Sequence, residues 1–162
     1  MSMLARTCGT VLLAAVIALT GLAARADDAT PILGKWVISG YRLAPWSRPQ
    51  DAAQLNAEAK KLLKLQVTYG AKAITSKNAT ISCKDAHYEK SDFPYTDLFQ
   101  GALGELSAEA RARTVKELGF PPEPVAGIEL GCSTGEFSYH FRDRNTLLFA
   151  LSDVIYILTR QP

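Results

Sequence analysis

Hydrophobic and polar residues alternate along much of the chain after residue 32, which is the period of a β-strand with one buried face. In EFSYHF, residues 136–141, the apolar positions are Phe137, Tyr139 and Phe141, and His140 lies between the last two. We therefore expect the three rings to point inward and His140 to point to solvent. Alternation, or a short apolar run between turn residues, predicts eight strands, within residues 33–43, 65–70, 72–75, 79–83, 125–132, 136–141, 146–151 and 153–160.

Two segments have the period of an amphipathic helix instead. One covers residues 51–64, with Asp51 as its N-cap, and the other covers residues 107–119, with Ser107 as its N-cap and Gly119 as its stop. The second helix lies in a stretch that is otherwise loop-like, so residues 84–123 are expected to form a helical insertion between strands. The last strand, residues 153–160, is apolar on both faces, which predicts that its outer side is also covered.

The expected fold class is mainly β with helical insertions: a single antiparallel eight-stranded barrel plus two short helices, in one domain over residues 27–162. A meander of eight strands can close on itself, and closure removes the exposed edges that invite aggregation. In the first strand Gly40 permits a bulge, which would bring Tyr41 and Leu43 to the inward side. The interior of such a barrel either fills with side chains or holds one small ligand.

The first 26 residues have the organisation of a secretory signal peptide. Arg6 precedes an apolar stretch over residues 11–24, and small residues at Ala24 and Ala26 fit a signal peptidase that cuts before Asp27. A membrane anchor is the alternative, but the apolar run is shorter than the roughly 20 residues that a bilayer requires. We therefore expect a periplasmic or secreted protein with no stable membrane anchor.

Removal of this segment changes both the charge and the cysteine count. It carries Arg6 and Arg25 and no acidic residue, so the 18 basic residues of the whole chain fall to 16, equal to the 16 acidic ones. A neutral chain without basic blocks gives no support for nucleic-acid binding. Cys83 and Cys132 remain as a pair, and in an oxidising compartment we expect them to form a disulfide.

The opening of the first strand, Gly34-Lys35-Trp36, together with Arg160 in the last strand, resembles the signature of the lipocalins and related barrels. That resemblance implies a barrel whose closed end is plugged by Trp36, with the Arg160 guanidinium laid across the indole. A cation over an aromatic face gains about 0.5 to 2 kcal/mol. The resemblance also implies carriage of small hydrophobic molecules.

Most of the common catalytic and cofactor motifs are missing from the sequence. It has no S-x-x-K, H-E-x-x-H, phosphate-binding loop or dinucleotide fingerprint, so we expect neither an enzyme nor a cofactor or metal. Asp85 and His87 could form a catalytic or metal-binding pair, or could simply belong to a polar loop after a strand.

The aromatic residues are the better candidates for a functional site. The first hypothesis is a binding protein for a small, largely apolar ligand, held in the barrel by Tyr41, Tyr69, Tyr139 and Tyr156, unless these rings only pack the core. The second is a periplasmic protein-binding module, such as an inhibitor or immunity protein of an envelope-acting enzyme, which would use an aromatic patch on the insertion loops: Trp46, Phe93, Tyr95 and Phe99. The alternative for this patch is that it packs the insertion onto the barrel.

Overall fold

The computed structural model describes residues 31–162, so the predicted signal peptide, residues 1–26, lies outside the described part of the chain. The described residues form eight strands, two α-helices and three short 3-10 turns. The strands are β1 (Gly34–Leu43), β2 (Gln66–Tyr69), β3 (Ile74–Ser76), β4 (His87–Phe93), β5 (Val125–Cys132), β6 (Gly135–Asp143), β7 (Thr146–Leu151) and β8 (Val154–Arg160). The helices are α1 (Ala52–Leu62) and α2 (Ala108–Leu118), and the turns are Pro49–Asp51, Ala79–Ile81 and Tyr95–Asp97.

The eight strands form one curled antiparallel sheet in the order β3-β2-β1-β8-β7-β6-β5-β4. This is the order of an up-and-down meander in which the first strand pairs with the last, and it confirms the predicted fold class. Within residues 31–162 no ladder joins β3 to β4, so the sheet is a half-barrel with an open seam. The predicted disulfide between Cys83 and Cys132 is present and ties the chain beside β3 to the end of β5.

The bulge predicted in β1 is present. The pairing of β1 with β8 runs from Trp36 opposite Arg160 to Leu43 opposite Val154, and its register shifts between Ile38 and Gly40. Because side chains alternate between the two faces of a strand, one extra residue at this point changes the face of all that follow. Tyr41 thereby comes opposite Tyr156 and packs against the core.

The concave face of the sheet carries the larger hydrophobic core. A row of aromatic rings crosses it, with centroid distances of 5.4 Å from Tyr69 to Tyr139, 5.2 Å from Tyr139 to Phe149 and 5.4 Å from Phe149 to Tyr156. Helix α1 covers the end of this core near the C-terminal half of β1, where Ala59 is fully buried. The concave face is therefore filled along most of its length.

The convex face carries a second core beneath the insertion. Leu98, Leu103, Val115 and Leu118 from the insertion belong to one buried cluster with Leu148 and Ile155 of the sheet, among others. The outer side of β8 is therefore covered, as its two apolar faces predicted. Helix α2 begins after Ser107, whose hydroxyl accepts a hydrogen bond from the backbone N–H of Ala110 at 3.2 Å, and ends before Gly119.

Two local predictions differ from the structure. The strand expected at residues 79–83 is instead a 3-10 turn over Ala79–Ile81, stabilised by Asn78, whose side chain accepts from the Thr80 N–H at 2.9 Å. The eighth strand is β4, which lies inside the range predicted as insertion, so residues 94–124 are the part that leaves the sheet. The sequence of β4, HYEKSDF, has only two apolar residues, and they face opposite sides: Tyr88 packs in the concave core and Phe93 in the convex one.

Candidate functional site

The seal at one end of the concave core is built by the first and last strands. The guanidinium carbon of Arg160 lies 4.3 Å from the centre of the Trp36 ring, and Trp36 is fully buried. Arg160 donates hydrogen bonds to the carbonyls of Leu33 at 2.8 Å, of Pro31, and of Arg144 at 3.4 Å. Burial lowers the pKa of Arg160. The ion and the ring together pin residues 31–33 across this end of the sheet.

Gly34 makes this arrangement sterically accessible. Its φ of +123° lies in a region that residues with a side chain rarely adopt, and a Cβ at this position would lie 3.2 Å from a terminal nitrogen of Arg160. A side chain here would therefore strain the backbone and crowd the guanidinium. The residues that carry the resemblance to lipocalins thus come together in space.

A pocket of about 730 Å³ opens beside this seal and is lined by residues of β4, β5 and β6 and of the turn between β6 and β7. Its apolar lining comes from Pro31, Ala126 and Phe141. Its charged and amide lining comes from Lys90, Asp92, Asp143, Arg144, Asn145 and Arg160. Phe141 lies on the same face of β6 as Tyr139, and Ala126 lies on the same face of β5 as Ile128. Because Tyr139 and Ile128 belong to the concave core, the pocket lies on the concave face.

The rim of this pocket carries free cationic groups. Among residues 31–162, Lys90 and Arg144 form no ion pair, whereas the Asp143 carboxylate lies 3.7 Å from the Arg142 guanidinium. Asp92 is also without an ion-pair partner in the described chain. With Arg160 at the inner end, the pocket presents three positive groups and two negative ones, one of which is already neutralised in part.

The four tyrosines predicted to hold a ligand lie elsewhere. Tyr69, Tyr139 and Tyr156 are buried in the aromatic row of the concave core, and the hydroxyl of Tyr41 donates to the side-chain oxygen of Asn56 at 3.1 Å. None of the four lines the pocket. Burial raises the pKa of Tyr69, Tyr139 and Tyr156, and the Tyr69 hydroxyl has no hydrogen-bond partner among the described residues.

The aromatic residues predicted to bind a partner do come together, but beneath the insertion. Trp46, Phe93, Tyr95 and Phe99 all belong to the convex cluster, and Phe93 and Phe99 are buried. The Tyr95 hydroxyl donates to the carbonyl of Pro121 at 2.8 Å, and the Trp46 and Phe99 rings are 5.9 Å apart. They pack the insertion onto the sheet, which is the alternative that the sequence left open.

His140 is the clearest correction to the sequence analysis. It points outward from β6 as its parity requires, but the insertion covers it, and it is fully buried. The rings of Phe93, Phe99 and Phe120 surround the imidazole edge-on, with centroid distances of 4.6, 5.0 and 6.3 Å. Its Nε2 accepts a hydrogen bond from the Phe99 N–H at 2.8 Å, and Nδ1 has no partner in the described chain. Burial lowers the pKa of His140 to about 3.

A second groove, of about 640 Å³, lies on the convex face between the insertion and strands β4 to β6. Its lining includes His87 and the acidic residues Glu89, Asp97, Glu129 and Glu136, without a lysine or arginine. His87 is exposed at the start of β4. No group of three or more His, Cys, Asp or Glu side chains within residues 31–162 has the geometry to hold a metal ion.

Comparison with protein-family models gives no match, and neither the curated proteins nor the solved structures contain a significant match to this chain. Within the described residues, neither helix has the length and apolar character needed to cross a bilayer.

Proposed function

We propose that this protein is a non-enzymatic binding protein that works outside the cytoplasm and holds a small, largely apolar molecule with an acidic group. The observation that carries the proposal is the pocket of about 730 Å³ with an apolar floor and free cations at its rim. Pockets of roughly 300–1,000 Å³ hold ligands of this size in other proteins. The disulfide supports an extracytoplasmic location, because disulfides persist mainly in oxidising compartments.

The position of the charges gives the ligand an orientation. Phe141 and Ala126 form the floor, and the exposed Arg144 side chain stands at the mouth. An apolar ligand body would replace water on the floor, and an acidic head would accept charge-assisted hydrogen bonds from Arg144, which are stronger than neutral ones. The resemblance to lipocalins, which concerns architecture more than descent, is consistent with this role.

A pair of tryptophan substitutions on opposite faces of β5 tests the site. Ala126 lines the concave pocket and Glu129 lines the convex groove, and both are exposed. The probe is 11-(dansylamino)undecanoic acid, whose emission rises when the dansyl group leaves water. We expect Ala126→Trp to abolish the increase, because the indole fills the pocket, and Glu129→Trp to leave the titration unchanged.

The acidic head is tested by removing one cation at a time. We expect Arg144→Gln to weaken probe binding at least about tenfold, while Arg113→Gln, the same change on the exposed side of α2, has no effect. Equal binding of the uncharged methyl ester of the probe would remove the proposed role of the cations. Binding that survives Ala126→Trp would refute the concave pocket as the site.

The acidic convex groove favours a second candidate function, the binding of a basic protein segment. Four acidic residues, Glu89, Asp97, Glu129 and Glu136, line a groove to which no lysine or arginine contributes. Such complementarity increases the rate of association and makes it sensitive to salt. Binding of an oligolysine peptide that Glu129→Lys abolishes and Ala126→Trp leaves intact would support this candidate over the first.

A further inference from the structure

The open seam of the sheet leaves part of β4 without a neighbour. The hydroxyl of Tyr88 donates to the carbonyl of Gly70 at 2.8 Å, and the N–H of Ala86 donates to the carbonyl of Lys72 at 3.0 Å. Beyond Tyr88 these contacts stop. From Glu89 to Phe93, β4 pairs with β5 on one side, and within residues 31–162 nothing bonds to its other side.

Strand β3 does not supply the missing neighbour. Its outer edge is already used, because Ile74 and Cys83 exchange two backbone hydrogen bonds of 2.8 and 2.9 Å. The disulfide from Cys83 to Cys132 holds that segment in place. An edge with unpaired N–H and C=O groups is a template for another strand, so the five residues of β4 are free to pair with a second chain.

Symmetry restricts how two copies of this edge can pair. When two copies of β4 pair antiparallel, the two-fold axis that relates them is perpendicular to the sheet, so both copies turn the same face to the same side. Residues opposite each other then share a face, and the axis therefore passes through one residue position, which lies opposite its own copy. An axis through Lys90 or Asp92 places identical charges opposite each other, which is unfavourable. An axis through Ser91 places Lys90 opposite Asp92 of the second copy, twice, and uses the whole free stretch from Glu89 to Phe93.

We propose that the chain forms a two-fold dimer through the β4 edge, centred on Ser91, with the partner being a second copy of the same chain. The register that places Lys90 opposite Asp92 is also the register that uses all five free residues of β4, and this agreement carries the proposal. Lys90, Ser91 and Asp92 also line the concave pocket, so each copy contributes to the mouth of the other copy's pocket. Pairing of Lys90 with Asp92 leaves Arg144 as the free cation at the rim of the pocket, and the dimer does not depend on the identity of the ligand.

Charge exchange tests this register. The mass of residues 27–162 is measured by sedimentation equilibrium over a range of concentrations, for the unmodified protein and for variants. We expect Lys90→Asp and Asp92→Lys each to weaken dimerisation at least about tenfold. Either substitution places two like charges opposite each other at both of the symmetry-related pairs of residues 90 and 92. The double variant, with the two charges exchanged, restores the complementary pairs and should recover the dimer.

Lys116→Asp, the same change of charge on the exposed side of α2, is the matched control and should leave the dimer intact. The register itself is tested by oxidation: Ser91→Cys places two thiols opposite each other on the axis and should give a covalent dimer, whereas Glu89→Cys should not. A monomer at all concentrations, a double variant that fails to recover, or an equal effect of Lys116→Asp would each overturn the proposal.

Discussion

Burial of His140 makes the stability of the fold dependent on pH. The imidazole accepts from the Phe99 N–H through Nε2, so the neutral form carries its proton on Nδ1. A second proton would have to sit on Nε2, where it would face that N–H inside a ring of phenylalanine side chains. Burial is the cause that lowers the pKa of His140 from 6.5 to about 3.

The size of the effect follows from proton linkage. Above pH 6.5 the imidazole is neutral in both the folded and the unfolded chain, and its contribution is fully present. Between pH 6.5 and 3 the unfolded chain takes up a proton that the folded chain does not, so the free energy of unfolding falls by about 1.4 kcal/mol for each pH unit. From pH 7 to pH 4.5 the loss from this one group is about 2.5 kcal/mol.

Urea unfolding at pH 7.0 and pH 4.5 measures this loss, followed by circular dichroism in the unmodified protein and in His140→Gln. Glutamine cannot titrate, so the variant should lose about 2.5 kcal/mol less on acidification, a difference of roughly 1–2 M in the shift of the midpoint. His87→Gln removes the exposed histidine and is the control for histidine content. If His140→Gln retains the full pH dependence, or His87→Gln removes it equally, the protonation argument is refuted.

Three further predictions concern the core and the seal. Replacing both Cys83 and Cys132 with alanine should lower the free energy of unfolding by up to about 4 kcal/mol in urea, because the bridge closes a loop with a sequence separation of 49; a loss under about 1 kcal/mol would contradict it. Tyr69→Phe should cost less than about 0.5 kcal/mol, since its hydroxyl has no partner, whereas Tyr88→Phe should cost about 1 kcal/mol; the reverse order in thermal unfolding would refute this. Arg160→Lys should cost about 2 kcal/mol and shift tryptophan emission to longer wavelength, because the stacked guanidinium and its carbonyl contacts are lost; unchanged emission and stability would count against the seal.

The regular part of the sheet was predictable because its strands alternate cleanly. The inward parity of Tyr139 and Phe141 and the bulge at Gly40 follow from the period of two and from the one residue that permits a break in it. The caps of α2 were predictable for a similar reason, since Ser107 and Gly119 act through their own backbone conformations. These features depend on neighbours in the sequence.

Strand β4 and His140 depend instead on residues far away in the chain. Nothing near Tyr88 and Phe93 indicates that each faces a different core, because the insertion that buries Phe93 begins only after it. The outward direction predicted for His140 is correct, but an outward side chain meets solvent only where the sheet has a single core. The apolar outer face of β8 indicates that a second core exists on that side of the sheet. The same inference applies to the outer faces of the neighbouring strands.

The second core also explains where the candidate site lies. Since aromatic rings fill the concave face and the insertion covers much of the convex face, neither leaves a cavity at the centre of the sheet. Open concave surface remains where the sheet fails to close, beside the Arg160 seal and along the stretch of β4 from Glu89 to Phe93. The pocket and the unpaired edge of β4 therefore both lie at the open seam, where the pairing of Ile74 with Cys83 occupies the outer edge of β3. A substitution that closed this seam would remove the ligand site and the dimer edge together, although each is measured separately.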